Sequence, residues 1–577
     1  MGTHVSCLGE RAMTTESDKH PRRWVSGRAL LLLLLLPASC APKMTTDGGV
    51  APQVVTKSGA VVGTTDPTTG SHTFRGIPYA QPPVGDLRFK APAPATPWEG
   101  VLDATEFGSA CAQVYYEELA SPEEFGPTDD EDCLTLNIWT PGLDDERRPV
   151  MVWIHGGANW TDSSRTAYYH GQKLSERGDV VVASLNYRLG IFGFVDMSVL
   201  GGDAYDGSEN NGIRDQMLAL RWIRQNIDRF GGDPRNVTAF GESAGGNNIG
   251  VILATERPKR LFDRAILQSG AGSARPSDRA TEVAQRMLQG GGVESMDALL
   301  KLSGAEALEA MQMGIAAIGL DGMDTDTLFG PTVDGELIKG RPGEMLAAGN
   351  ASGIDLMIGT TAHELRYYYT YEPSLMELTL EDPRLEIFLE GISAADRKAL
   401  VDLYARNRPD FAEFEIVNDI LSDRSMWMPS IRQAEAQLEV SDDVWMYLFE
   451  WEVPDSSPVQ EALGVKLGAA HGVEVAFEFS SFDDTFFREY FGGWPKDENE
   501  ARRWQTLIGA VQDSWTAFAR SGDPAAHDNP ALPHWPRYDG EARATMAFDY
   551  ENRVLSDPKK DERLLWSRIA QRRKSAD

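Results

Sequence analysis

Gly241-Glu242-Ser243-Ala244-Gly245 is the stretch of this chain best built for chemistry. It is a G-x-S-x-G pentapeptide. Val237 to Phe240 before it read as a short buried strand, and a helical run follows Gly246. Strand, tight turn and helix is the setting that lifts a serine hydroxyl clear of the backbone. The glycines have a steric reason: side chains at 241 and 245 would collide with the adjoining strand and helix. The helix N-terminus then points backbone N–H groups at any developing negative charge. Alone the motif is weak, because an ordinary glycine-rich turn can present the same pattern and hold a phosphate.

A serine hydroxyl is a poor nucleophile at neutral pH. A histidine must take its proton, a carboxylate must orient that histidine, and N–H donors must hold the oxyanion. On a strand–elbow–helix fold the three side chains occur in the order serine, acid, histidine. Downstream of Ser243 the histidines are His363, His471, His527 and His534. His363-Glu364 opens like a H-E-x-x-H zinc helix, but Tyr367 stands where the second histidine belongs. No metal and no cofactor are expected.

These groups need a scaffold. Leu134–Trp139, Val150–Ile154, Val180–Asn186, Val237–Phe240, Arg264–Gln268, Ile354–Ile358 and Val444–Trp451 read as strands, and Gln216–Ile227 as an amphipathic helix. Buried apolar runs alternating with helices predict an α/β fold with a large, mostly parallel central sheet covered on both faces. Residues 275–350 and 380–440 read as helical insertions with no sheet pattern. Val54 to Thr64 reads as a hairpin turning at Ser58-Gly59. Residues 74–94 read as a packed irregular segment.

Five blocks extend this picture: FRGIPYAQPPVGDLRF, EDCLTLNIWTP, LNYRLGIFGF, DQMLALRWIRQNIDRFGGDPRNVTAFGESAGG and RAILQSG. Through them, in this order, the chain resembles the type-B carboxylesterases, the group that includes cholinesterases and bacterial nitrobenzyl-type esterases. The resemblance implies an α/β-hydrolase fold, one domain over 54–577, and hydrolysis of small carboxylic esters through an acyl-enzyme. It implies Ser243 as nucleophile. It implies Glu364 as the acid, five residues after Gly359 in IGTTAHELRYY, and His471 as the base, with Glu474 three residues on, in GAAHGVEVAFEF. The oxyanion donors carry over to Gly157, Ala158 and Ala244. His363 stands where an acidic residue is usual. Asn159 replaces an aromatic and Asp162 a glycine, which implies a more polar pocket beside the oxyanion hole. A structural pair falls on Arg88 and Glu131. Tyr367, Tyr368, Tyr369 and Tyr371 either line the site mouth or pack. Successive side chains of an extended segment point to opposite faces, so His363 is badly placed to accept the Glu364 hydrogen bond and also face Ser243. His527 and His534 sit in the proline-rich DPAAHDNPALPHWP and read as exposed, which leaves His471 as the base and His363 dispensable.

Composition narrows the alternatives. The chain has 577 residues, 42% of them hydrophobic, and a net charge of −32. A polyanion of this kind is a poor partner for nucleic acid. Arg22, Arg23 and Arg28 precede Ala29, Leu30 to Leu36 and then Pro37-Ala38-Ser39-Cys40. That reads as a signal peptide over 1–40, with a tether over 41–53. Ala-Ser-Cys resembles a lipobox, which makes Cys40 a lipidation candidate and an N-terminal lipid the one membrane contact. The protein is then exported, whether periplasmic, membrane-anchored or secreted. Cys7 leaves with the signal, and Cys111 and Cys133 pair, closing a loop of about 20 residues worth around 3 kcal/mol. Two other readings share this sequence: a non-catalytic, cholinesterase-like adhesion module, and a lipase, amidase or toxin-ester hydrolase with the same site. Cholinesterase activity is disfavoured, because the Cys111–Cys133 loop holds Tyr115, Tyr116 and Phe125 but no tryptophan to cradle an ammonium group.

Overall fold

Eleven strands build the central sheet. In chain order they are β1 (Thr64–Thr65), β2 (His72–Pro78), β3 (Thr135–Thr140), β4 (Arg148–Ile154), β5 (Val181–Leu185), β6 (Gly232–Glu242), β7 (Arg264–Gln268), β8 (Asp355–Thr361), β9 (Val444–Phe449), β10 (Ala544–Phe548) and β11 (Arg553–Ser556). In space the order is β11-β10-β9-β8-β7-β6-β4-β5-β3-β2-β1. The stretch from β5 through β10 is parallel throughout, and the outer strands at both edges run antiparallel. The computed structural model describes residues 51–114, 130–318, 328–526 and 528–576. The leader 1–40, residues 41–50 of the tether, Cys7, Cys40, Tyr115, Tyr116, Phe125 and His527 lie outside the described residues.

Every residue of β9 (VWMYLF) is buried. That is the signature of a parallel strand covered on both faces. Helix α1 (Asn211–Asn226) turns Ile213, Met217, Leu220 and Ile223 inward at three- and four-residue spacing. Helix α2 (Ala244–Leu253) follows β6 directly and is buried along nearly its whole length. A short helix α3 (Val475–Phe479) follows the His471 loop. The long helix α4 (Glu498–Ser521) buries Trp504, Leu507, Val511, Trp515 and Phe518. The chain's fold is thus a large, mostly parallel sheet with helices on both faces, the α/β-hydrolase architecture.

The structure departs from the sequence reading in places that have local causes. Residues 74–94 were expected to be irregular, yet β2 occupies 72–78. Its register shifts between Phe74 and Ile77, and Gly76 there has φ +64°. A bulge of this kind breaks the two-residue alternation by which a strand is read. Strands β10 and β11 are short and were missed. Arg275–Pro276 pairs with Thr332–Val333 inside the region expected to lack sheet. The N-terminal hairpin is present: Gln53–Val55 pairs antiparallel with Ala60–Val62.

Candidate active site

Ser243 sits between β6 and α2 with φ 55° and ψ −124°. A side chain held there is strained by about 1–3 kcal/mol and persists only where its surroundings dictate it. Here they do. A Cβ at Gly241 would lie 2.5 Å from the Ile154 carbonyl oxygen, and one at Gly245 only 2.0 Å from it. The clash expected of the elbow glycines is therefore with the end of β4. The Ser243 N–H donates to Gln268 O at 2.8 Å, tying the elbow to β7. Ser243 itself keeps partial exposure in an otherwise buried neighbourhood.

Glu364 lies just beyond β8 and is almost fully buried. Its Oε1 accepts from Ser269 Oγ at 2.6 Å and from the Thr361 N–H at 2.8 Å. Its Oε2 lies 2.6 Å from His471 Nδ1. His471 comes from the loop after β9. Its Nε2 lies 3.0 Å from Glu242 Oε1, near enough for charge attraction but off the geometry of a hydrogen bond. Ser243, Ser269, Glu364 and His471 thus follow β6, β7, β8 and β9, four consecutive neighbours in the sheet.

Burial alone would push the His471 imidazole down. The charges of Glu242 and Glu364 more than offset it and hold the group well above the usual value. Glu474 is also held well above the carboxylate range, by burial first and then by Glu242 and Glu364. With His471 read as the base, which must be neutral to accept a proton, the acid limb of activity is expected above the ordinary histidine range. Glu242→Gln removes one of the two opposing charges. The expected result is an acid limb of kcat/KM displaced to lower pH, read from a pH profile. An unmoved limb would show that Glu242 does not tune this imidazole.

Gly157, Ala158 and Asn159 have φ of 81°, 50° and 60° in succession. This left-handed run turns the chain sharply after β4. The Gly157 carbonyl is turned inward, accepting from the Trp160 and Thr161 N–H groups at 3.0 and 3.1 Å. Among the described residues, the N–H groups of Gly157, Ala158 and Ala244 have no protein acceptor. Of the two residues expected to make the pocket beside the oxyanion hole more polar, Asp162 is taken up by neighbours inside the protein. Asn159 Oδ1 accepts from Asn248 Nδ2 at 2.8 Å. Asp162 is turned into the protein, accepting from Thr166 Oγ1, Tyr169 OH and the Ser163 N–H.

The four tyrosines divide. Tyr367 and Tyr368 lie beside His471, with ring centroids 6.0 and 6.5 Å from the imidazole. Tyr371 joins them through a 2.5 Å contact between its hydroxyl and that of Tyr367. Tyr369 packs on Phe414 instead. Cys111 and Cys133 form a disulfide, with Cα atoms 4.9 Å apart. Arg88 meets Glu131 at 2.6 Å and also donates to the carbonyls of Leu299 and Leu302. His534 is exposed. Sequence reasoning missed Ser269, although it stands next to last in the RAILQSG block, just past a strand end.

The family model described as the Carboxylesterase family matches residues 50–566. The chain belongs to that family. It is a carboxylic ester hydrolase. The esterase is 37% identical over 521 residues to the para-nitrobenzyl esterase of Bacillus subtilis, covering 88% of this chain and 97% of the relative. It is 31% identical over 490 residues to the phenmedipham hydrolase of Pseudarthrobacter oxydans, covering 84% and 92%. Among solved structures, a carboxylesterase of Geobacillus stearothermophilus superposes with a TM-score of 0.77 at 33% identity, covering 89% of the esterase and 99% of that chain.

Proposed function

We propose that the esterase is an exported serine hydrolase that cleaves uncharged carboxylic esters through an acyl-enzyme on Ser243. The observation that carries this reading is His471, hydrogen-bonded through Nδ1 to Glu364 and offering Nε2 on the side of the Ser243 elbow. Ser243 Oγ attacks the ester carbonyl carbon as its proton passes to His471 Nε2. The resulting oxyanion is held by the N–H groups of Gly157, Ala158 and Ala244. His471 then protonates the leaving alkoxide as the C–O bond breaks. Water, deprotonated by the same imidazole, releases the acid and restores Ser243. Glu364 holds the imidazole tautomer and stabilises the imidazolium.

The faces of Tyr367 and Tyr368 beside His471 suit a flat, uncharged ester group. A relative named for nitrobenzyl esters agrees with that. The test is a panel of p-nitrophenyl esters of rising acyl length, run beside acetylthiocholine and a p-nitroanilide of the same acyl group. Turnover of the uncharged esters, with little of the other two, is expected. No turnover across the ester panel, or faster cleavage of the anilide, would replace this reading with another.

Export rests on the leader composition and on the Cys111–Cys133 disulfide, a bond that persists in oxidising compartments. With Cys40 lipidated, cell fractionation puts the wild-type enzyme with membranes, and Cys40→Ala releases it. Wholly soluble wild-type protein with an unmodified N-terminus would leave plain secretion.

A further inference from the structure

The loop carrying Glu364 and the loop carrying His471 are joined by a short ladder. The His363 N–H donates to Ala469 O at 2.9 Å, and the His471 N–H donates to Glu364 O at 3.1 Å. The rung between them uses a side chain: the Ala469 N–H donates to His363 Nδ1 at 3.1 Å. An amide N–H can only donate, so Nδ1 must be the bare nitrogen of a neutral ring. The surroundings enforce that state. Withdrawal from water pushes the imidazole well below its ordinary value, and the charges of Arg366, Lys559 and Arg408 push the same way. The ring also lies hard against the next residue of the base loop. A Cβ at Gly468, which has φ +60°, would come within 2.5 Å of Nδ1.

This contact sets the height of one loop on the other. Ala469 is two residues from His471, and His363 is next to Glu364. The 2.6 Å bond between His471 Nδ1 and Glu364 Oε2 survives only if both loops keep this register. We propose that His363 is a positioning residue whose Nδ1, by accepting from the Ala469 N–H, fixes the base loop on the acid loop and holds His471 against Glu364. It is therefore neither the base nor dispensable. The proposal rests on the triad reading above.

The full-length enzyme and its His363→Ala, His363→Asn and His363→Gln variants separate the outcomes, with kcat and KM measured on one p-nitrophenyl ester and folding followed by thermal melts. His363→Ala is expected to lower kcat between about 10- and 100-fold with KM little changed, the usual cost of a small displacement of reacting groups. Asparagine places its amide oxygen on Cγ, as Nδ1 is placed, and is expected to recover most of the lost kcat. Glutamine carries its acceptor one bond further out and is expected to stay near the alanine variant. Wild-type kcat in His363→Ala would overturn the proposal. So would equal activity of the Asn and Gln variants, a comparison that decides even if the alanine variant does not fold. Ser243→Ala is run in the same assay. Turnover retained there removes the triad reading and this proposal together, whereas an inactive Ser243→Ala beside a fully active His363→Ala removes this proposal alone.

Discussion

Ser243→Ala leaves a folded protein whose ester turnover falls by on the order of 10⁴-fold or more. The fold survives because alanine keeps the Cβ that the elbow already accommodates at φ 55°. The substitution adds no strain and fills no new space. On the proposed mechanism the hydroxyl it removes makes the covalent bond, and Ser269, the next serine along the sheet, has its hydroxyl committed to Glu364. The measurement is kcat/KM on a p-nitrophenyl ester, with circular dichroism and a melt to confirm folding. A folded variant that retains more than about a tenth of the wild-type rate sinks the nucleophile assignment, since loss of a triad member costs far more.

His471→Ala is expected to lose turnover on the same scale, about 10⁴-fold or more. The reasons differ. Without the imidazole the Ser243 proton has no acceptor and the leaving group no donor. Glu242 remains near the elbow, but its carboxylate has no part in the bond to Glu364 and cannot shuttle a proton between both oxygens of the reaction. The variant should also lose the acid limb of the pH profile, because the titrating group is gone. Residual activity that still falls with acid along the wild-type curve would place the base elsewhere. A second effect follows from burial. Glu364 loses the partner of one oxygen while keeping Ser269 and the Thr361 N–H on the other. A modest loss of stability is expected beside the loss of rate.

The parallel core was legible because strands such as Val444–Phe449 are uninterrupted apolar runs. The reading of Arg264–Gln268 coincides with β7 to the residue. Strand β2 was not legible, because Gly76 and Pro78 look like loop residues until the bulge that uses Gly76 is seen. For the site, spacing alone could name the elbow and the four downstream histidines. The resemblance was needed to choose Glu364 and His471. The structure brings those two into one hydrogen bond and places Glu242 on the far nitrogen of the same ring. The ladder through His363 was out of reach, since it depends on two loops about a hundred residues apart meeting edge to edge. Asp162 illustrates the opposite error: its chemistry was read correctly, but its direction is set by Thr166 and Tyr169, which no spacing rule reveals.

Four neighbouring parallel strands each deliver one part of the site, and this has a bearing on how the chain folds. Helices such as α1 form from local contacts, quickly and in isolation from the rest. Parallel pairing does not: β8 and β9 meet only after the residues between Thr361 and Val444 have been looped out, and such long-range closures are slow. The elbow needs β4, β6 and β7 in place, and on the proposed triad it meets its base only once β9 has docked on β8. Enzymatic activity therefore requires every one of these long-range closures. Its recovery after denaturation is expected to report the completed centre of the sheet, while signals from helix formation report local structure.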